Sequence, residues 1–276
     1  MIYAARDWDA QVRLSRLQHS RVFIDEDVLD QYLGLVSSFR PPPDGNPDDP
    51  VITYLRTVLR SDSVLIDVGA GAGRLTVPAS RLCASVIAIE PSPTMAAELS
   101  NQIAARDIDS VRVQSLRWEE MEHEPVDVVL MSHVLYGVAP IAPFIESATK
   151  TARDCVVAVL GSSPPGGYYH PLWRPVHGED RIVAPGAIEF GKLLQSRGHS
   201  PEVIELPGVQ SRSFQNRDQA IARSARRLRV PPGTPAHERL EKAVDMALVD
   251  SKVGTCYFRW RQPTTSLLFR WPSAPR

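Results

Sequence analysis

The stretch Val64-Leu-Ile-Asp-Val-Gly-Ala-Gly-Ala-Gly-Arg74 decides how the rest of the chain is read. Val64–Val68 is apolar apart from Asp67, the composition of a strand covered on both faces. Gly69, Gly71 and Gly73 then alternate with small residues. Glycine accepts positive φ and lets a ligand approach the backbone with no Cβ in the way. Such a turn between a strand and a helix reads as a ligand loop. Two spacings compete. Dinucleotide folds use GxGxxG, which seats a pyrophosphate on the helix N-terminus. Here the spacing is GxGxG, Arg74 stands where the third glycine of that pattern belongs, and an acid, Asp67, precedes the first glycine by two positions.

Outward from this stretch, short apolar runs alternate with helical patterns. Residues 86–90, 111–114, 126–131 and 155–160 read as further strands. Helices are expected from the glycine turn to about residue 83, and over 93–106 and 141–152. Strands that are apolar throughout imply a parallel sheet with helices on both faces, a doubly wound α/β domain with right-handed crossovers. After a Gly/Pro-rich loop at 161–169 the pattern predicts a helix near 186–197 and a strand near 202–206. Two helices within 217–250, parted by Pro231-Pro232-Gly233, and a last strand over 264–271 complete it. Upstream, Trp8, Val12, Leu14 and Leu17, then Val28, Leu29, Tyr32, Leu33 and Val36, recur at helical spacing. Pro41, Pro42, Pro43, Pro47 and Pro50 mark a linker, and a short helix is expected over 51–60. The expected organisation is a helical cap and linker over 1–50, then one domain over 51–276 with a helical insertion near 211–252.

Asp-x-Gly-x-Gly-x-Gly closing an apolar strand closely resembles the first motif of class I S-adenosylmethionine-dependent methyltransferases. The resemblance implies a Rossmann-like sheet, mostly parallel with an antiparallel last strand, and S-adenosyl-L-methionine as cofactor. Asp67, Gly69, Ala70, Gly71 and Gly73 would then lie under its methionyl and ribose parts, Asp67 facing the ammonium directly or through water. The second match is Val86-Ile-Ala-Ile-Glu-Pro-Ser-Pro93. Glu90, followed by Pro91, ends the next strand, where an acid accepts hydrogen bonds from both ribose hydroxyls. Nicotinamide folds use such an acid too, so the glycine spacing has to separate the two. The third match is looser. Arg117 stands where the family often places an adenine-contacting Asp, and Trp118 and Glu119 follow. Either Trp118 walls the adenine with Glu119 as the acid, or Trp118 is a core residue beneath the loop. These motifs cover residues 63–160; the terminal regions carry none.

Open α/β sheets bind ligands beyond the carboxyl ends of their strands. The fourth strand ends in Met131-Ser-His-Val-Leu-Tyr-Gly137. By resemblance this loop lines the methyl-transfer site, with Ser132 and His133 against the cofactor. Displacement at an already activated carbon gains most from alignment and desolvation. A base is needed only where the acceptor must lose a proton. His133, with an ordinary pKa of about 6.5, and Tyr136 are the candidate catalytic pair, a base and an orienting hydroxyl. A structural histidine beside a cofactor-contacting tyrosine is the alternative. Residues 168–180 are dense in aromatic and polar groups and read as a substrate-facing loop; His170 and His177 match no metal-site spacing. Tyr3, Trp8 and Phe23 belong either to a lid or to helix packing. Arg217, Arg223, Arg226, Arg227 and Arg229 form a solvated helical face or an RNA contact.

Bulk composition narrows the class. With 31 basic and 32 acidic residues the formal net charge is -1, which demands no polyanionic partner. Cys83, Cys155 and Cys256 form no CxxC pair, so a disulfide framework or zinc site is not expected and a reducing, cytoplasmic setting is. The first residues do not read as a signal peptide. The apolar run at 128–145 is broken by Ser132, His133, Gly137, Pro140 and Pro143, against a membrane span. The expectation is an enzyme moving a methyl group from S-adenosylmethionine to an oxygen or nitrogen of a small organic molecule. It resembles the group that includes quinone-biosynthesis and natural-product methyltransferases. An RNA or protein methyltransferase, a non-catalytic S-adenosylmethionine-binding protein and a nicotinamide oxidoreductase are the competing readings.

Overall fold

The structure is a computed structural model that describes residues 3–22, 36–42, 48–122, 124–163, 166–209, 213–261 and 264–273. The glycine-rich stretch opens with strand β1 (Val64–Val68). β2 (Ser85–Ile89), β3 (Val111–Gln114), β4 (Val126–Ser132) and β5 (Ala152–Gly161) follow as the sequence predicts. With β6 (Glu202–Val209) and β9 (Thr264–Pro272) they form a seven-stranded sheet in the order β3-β2-β1-β4-β5-β9-β6. The first five strands pair in parallel. β9 runs antiparallel between β5 and β6, which is the expected antiparallel last strand. Pro207 is tolerated because β6 is an edge strand whose register slips between Leu206 and Val209.

Successive residues of the central strands enter different cores, which explains their unbroken apolar composition. Ile66, Val129 and Met131 join a cluster with α1 (Tyr3–Val22), α5 (Ile141–Thr151) and α7 (Ala187–Ser196). Leu65, Val128 and Leu130 join the opposite cluster with α2 (Pro50–Val58). The helices start where the local chemistry says they should. Asp49 before Pro50 caps α2, and Ser92 before Pro93 caps α4 (Pro93–Ala104), each side chain accepting a first-turn N–H.

The structure departs from the sequence reading in some places and decides between its alternatives in others. The helix after the glycine turn is only α3 (Thr76–Ala79), because Pro78 has to sit in a first turn and keeps the helix from reaching back to the glycines. Of the N-terminal helical pattern, α1 and one 3-10 turn at Val36–Phe39 are described; Phe23, Val28, Leu29, Tyr32 and Leu33 lie outside the described residues. α1 shares the main core through Ala5, Trp8 and Val12, so Trp8 is helix packing. It is 5.9 Å, edge-on, from Phe190, and its indole N–H donates to the Val138 carbonyl.

A further difference is a second core. It gathers the 3-10 segment Gly167–Leu172, α6 (Trp173–His177), α8 (Arg217–Leu228), α9 (Pro235–Ala247) and the hairpin of β7 (Leu248–Asp250) and β8 (Cys256–Phe258). Residues 248–250 had read as helix. Tyr169, Leu172, Trp173 and Val176 are buried there, so much of 168–180 is core rather than a substrate-facing loop. The segment leaves from the end of β5, and α8 to β8 are inserted between the end of β6 and the start of β9. Both departures are from the carboxyl edge of the sheet, where a parallel α/β fold places its ligands.

Candidate functional site

The glycine turn is built as its sequence requires. Gly69, Gly71 and Gly73 have φ of 72°, 57° and 93°, all in the region that favours glycine. The Gly69 and Ala70 N–H groups donate to the Ile89 carbonyl at 2.7 and 3.1 Å, fastening the turn to the end of β2. A Cβ on Gly69 would lie 2.1 Å from Val134 Cγ1, so the loop after β4 closes directly on the turn. A Cβ on Gly73 would lie 2.6 Å from Leu99 Cδ1 of α4. Gly71 has room, with Phe39 Cβ 3.7 Å away.

Two buried acids flank the turn and do different work. Glu90, 6% exposed, accepts from Gly71 N at 2.8 Å through one oxygen and from Ser92 N at 2.8 Å through the other. Burial raises its pKa and the two N–H groups oppose that. Pro91 follows it, half-buried. Asp67, 2% exposed, accepts from Thr76 Oγ1 at 2.6 Å and so ties β1 to α3 across the turn. Burial pushes it up to about 6, against the Thr76 hydrogen bond and the Arg74 charge. Arg74 reaches Asp49 at 2.5 Å, joining the end of the glycine turn to the cap of α2.

The loop after β4 brings the second half of the site. His133 adopts φ 59°, and its backbone N–H donates to the Val159 carbonyl at 2.8 Å. Its Nδ1 is 2.9 Å from Tyr136 Oη, and that oxygen accepts from Gly161 N at 2.6 Å. The Tyr136 hydroxyl is thereby spent on the two strand ends, and burial pushes it up to about 12. His133 is open to water yet densely surrounded by protein, as a side chain lining a cleft is. Desolvation first, then the Arg74 charge, hold its imidazole down to about 4, so it is neutral at pH 7. Ser132 Oγ is buried with no hydrogen-bond partner among the described residues.

The adenine-side expectations fare unevenly. Trp118 is 3% exposed and packs 6.1 Å from Phe144 in the main core, which is the core alternative. Arg117 and Glu119 are exposed on the 3-10 turn Trp118–Glu120, and neither bonds to the glycine turn or to Glu90 among the described residues. Phe39, Asp49 and Thr76 are neighbours of the turn that the sequence did not reveal. Each reaches it across a loop break or through a hydroxyl with no periodic signature. Among the described residues no group of three or more His, Cys, Asp or Glu could hold a metal, and no helix is long and apolar enough to cross a membrane. A hollow of about 320 Å³ lined by Ser85, Asp109 and Arg112 lies at the amino ends of β2 and β3, away from this site.

The glycine turn tests the fit of a sulfonium nucleoside. A backbone cradle free of Cβ atoms, a buried acid at the end of β2 and an unspent buried hydroxyl at the end of β4 suit ribose and amino-acid polar groups. Comparisons with known proteins agree. Residues 66–155 match a family described as a methyltransferase domain. A ubiquinone biosynthesis O-methyltransferase of Methylobacterium nodulans is 29% identical over 162 residues, covering 52% of this chain and 62% of that protein. A Methanothermobacter thermautotrophicus protein named for methylating small-subunit ribosomal RNA is 34% identical over 135 residues, covering 49% and 42%. The chain thus spans little more than half the length of the quinone-pathway relatives it matches. In fold, a Bacillus halodurans C-125 protein provisionally described as a methyltransferase superposes with a TM-score of 0.58 at 15% identity. That match covers 82% of this chain and 99% of the other.

Proposed function

We propose that this chain, which carries a class I S-adenosylmethionine-dependent methyltransferase domain, transfers a methyl group from S-adenosyl-L-methionine to an oxygen or nitrogen of a small organic molecule. The observation that carries the reading is the positive-φ glycine turn hydrogen-bonded to a buried Glu90 at the carboxyl edge of the sheet. The quinone-pathway relatives support the small-molecule acceptor. We take residues 51–276 as the catalytic domain, residues 1–50 as its cap, and the cytoplasm as its setting.

The bound cofactor would supply an activated methyl carbon. In this reading Glu90 accepts the ribose hydroxyls on lone pairs left over from Gly71 and Ser92. Gly69, Ala70, Gly71, Gly73 and Pro91 give the nucleoside close backbone approach. Asp67, already holding Thr76, acts on the ammonium through water. Arg117, Trp118 and Glu119 border the adenine, Trp118 from the core side. Ser132 offers its hydroxyl to the cofactor. His133 faces the acceptor as a neutral imidazole. Its low basicity suits aligning a hydroxyl or amine better than stripping a proton from it, since a base far below the working pH gives little drive to proton transfer. Tyr136 positions His133 and touches no substrate.

Calorimetric titration with S-adenosylhomocysteine tests the cofactor site. Binding to the wild-type chain is expected, weakened about tenfold by Glu90→Gln, the loss of one charged hydrogen-bond acceptor. No heat at millimolar ligand would remove the assignment.

The ribosomal-RNA relative keeps an RNA acceptor as a second reading. Against it, Arg217 is spent on Asp245 in a two-point ion pair of 2.5 and 2.9 Å, leaving α8 a weaker basic face than its sequence suggests. RNA binding that weakens steeply with salt would favour it.

A further inference from the structure

Arg181 is a half-buried cation whose contacts among the described residues are with neutral groups. Its guanidinium lies over Trp173, 4.4 Å from the ring centre, and donates to Gln18 Oε1 at 2.6 Å and towards Ser15 Oγ at 3.5 Å. Among the described residues no carboxylate lies within 4 Å of it. Glu179 acts on it from a distance but is exposed and pairs with Arg21 at 3.3 Å. Asp180, also exposed, pairs with Arg174 at 3.3 Å. Three further polar side chains lie near it. Trp173 is 3% exposed and its indole N–H has no acceptor among the described residues. His19 and His170 both feel the Arg181 charge, which joins burial in holding each imidazole down to about 4.

The cluster stands on the β4–β5 side of the carboxyl edge. α1 runs along the loop after β4, where Trp8 bonds to Val138, Arg16 to Gly137, and Asp9 caps α5 through Ile141 N. His170 and Trp173 lie on the segment that leaves from β5. The glycine turn is on β1, so the cluster lies beyond it along the carboxyl edge, towards β5.

We propose that Arg181, with His19, His170 and the Trp173 indole N–H, forms an oxyanion subsite that takes a carboxylate or phosphate group on the methyl acceptor. The inference rests on the small-molecule methyltransferase reading and adds the charge of the substrate to it. Charges taken out of water are normally paired, and this one has polar groups on several sides and, among the described residues, no carboxylate within 4 Å. A planar guanidinium matches both oxyanions with two parallel hydrogen bonds. Partial burial makes those bonds stronger than surface ones.

The test is an NMR titration of the full chain with benzoate and, separately, inorganic phosphate, following the His19 and His170 imidazole signals. Wild type, Arg181→Gln, Arg181→Lys and Arg21→Gln are compared, with S-adenosylhomocysteine calorimetry on the same samples. A saturable shift is expected with at least one anion, and which one responds identifies the group. Half-saturation should weaken about tenfold in Arg181→Gln, the loss of a charged two-point contact, less in Arg181→Lys, and not at all in Arg21→Gln. S-adenosylhomocysteine affinity should stay constant throughout. No saturable shift, or one that survives Arg181→Gln, overturns the subsite and leaves Arg181 as a brace between α1 and α6. Anion binding without any S-adenosylhomocysteine binding would instead overturn the methyltransferase reading on which the acceptor's charge depends.

Discussion

His133 carries a left-handed backbone, at φ 59°, that only a few residue types adopt readily. The conformation persists because Val159 holds its N–H and Tyr136 holds its ring. Strain of this sort is kept where the surroundings over-determine it, often at functional sites. The histidine was legible as a candidate from its place at a strand end; its strained backbone and neutral ring were not, because the first depends on β5 and the second on burial and then the Arg74 charge. Gly69 makes the complementary point. Its type announces the positive φ, but only the fold reveals that Val134 fills the space of a Cβ. Gly69→Ala should therefore cost more than strain alone, about 1–3 kcal/mol for the φ plus about 1–3 kcal/mol for overpacking. Gly178, at φ 80° with nothing within 4 Å of a Cβ, is the reference, and Gly178→Ala should show only the strain. Urea unfolding of the two variants checks this; equal losses would mean that Val134 moves aside freely.

The helices show how far local chemistry reaches. Asp49-Pro50, Ser92-Pro93 and Thr234-Pro235 each begin a helix where a capping side chain meets a proline that needs no N–H partner. Ser92 serves two elements at once, since its Oγ caps α4 through Met95 N while its own N–H holds Glu90. Ser92→Ala removes only the cap. It should cost about 1 kcal/mol in urea unfolding and leave S-adenosylhomocysteine affinity unchanged, because the bond to Glu90 is made by the backbone. A matching loss of affinity would show that the start of α4 shapes the site more than the bond geometry implies. The hairpin of β7 and β8 was missed for a related reason. Leu248-Val-Asp continues a helical pattern, and only pairing with Cys256–Phe258 makes it a strand.

Across the whole molecule, burial shifts histidines and acids in opposite directions, and the balance sets the pH dependence of stability. His19, His133 and His170 are held down to about 4, and His177 and His199 are shifted the same way. Between pH 4 and about 6.5 the unfolded chain binds protons that the folded chain refuses, so stability rises with pH there and is fully present above that window. Asp67, pushed up to about 6, and Glu90, raised too, act against this: folded, they keep protons that the unfolded acids release, and that stability is lost as pH rises. The histidines outnumber the acids. The melting temperature should fall from pH 6.5 to 4.5 and stay level from pH 7 to 8.5, by calorimetry. A melting temperature that holds or rises on acidification would mean that the histidines are better solvated than their surroundings suggest.

While the antiparallel last strand came as what the family resemblance implied, periodicity and composition alone determined the doubly wound sheet, the glycine turn and Glu90 at the next strand end. Each is a local pattern, and the backbone geometry it demands does not depend on distant residues. Only the tertiary structure decided which partner each side chain met. Asp67 faces Thr76, Trp118 turns into the core, much of the 168–180 segment packs into a second core, and Arg181 meets neutral groups among the described residues. Those outcomes depend on contacts between residues far apart in the chain, and desolvation and packing at such contacts leave no trace in a single stretch of sequence.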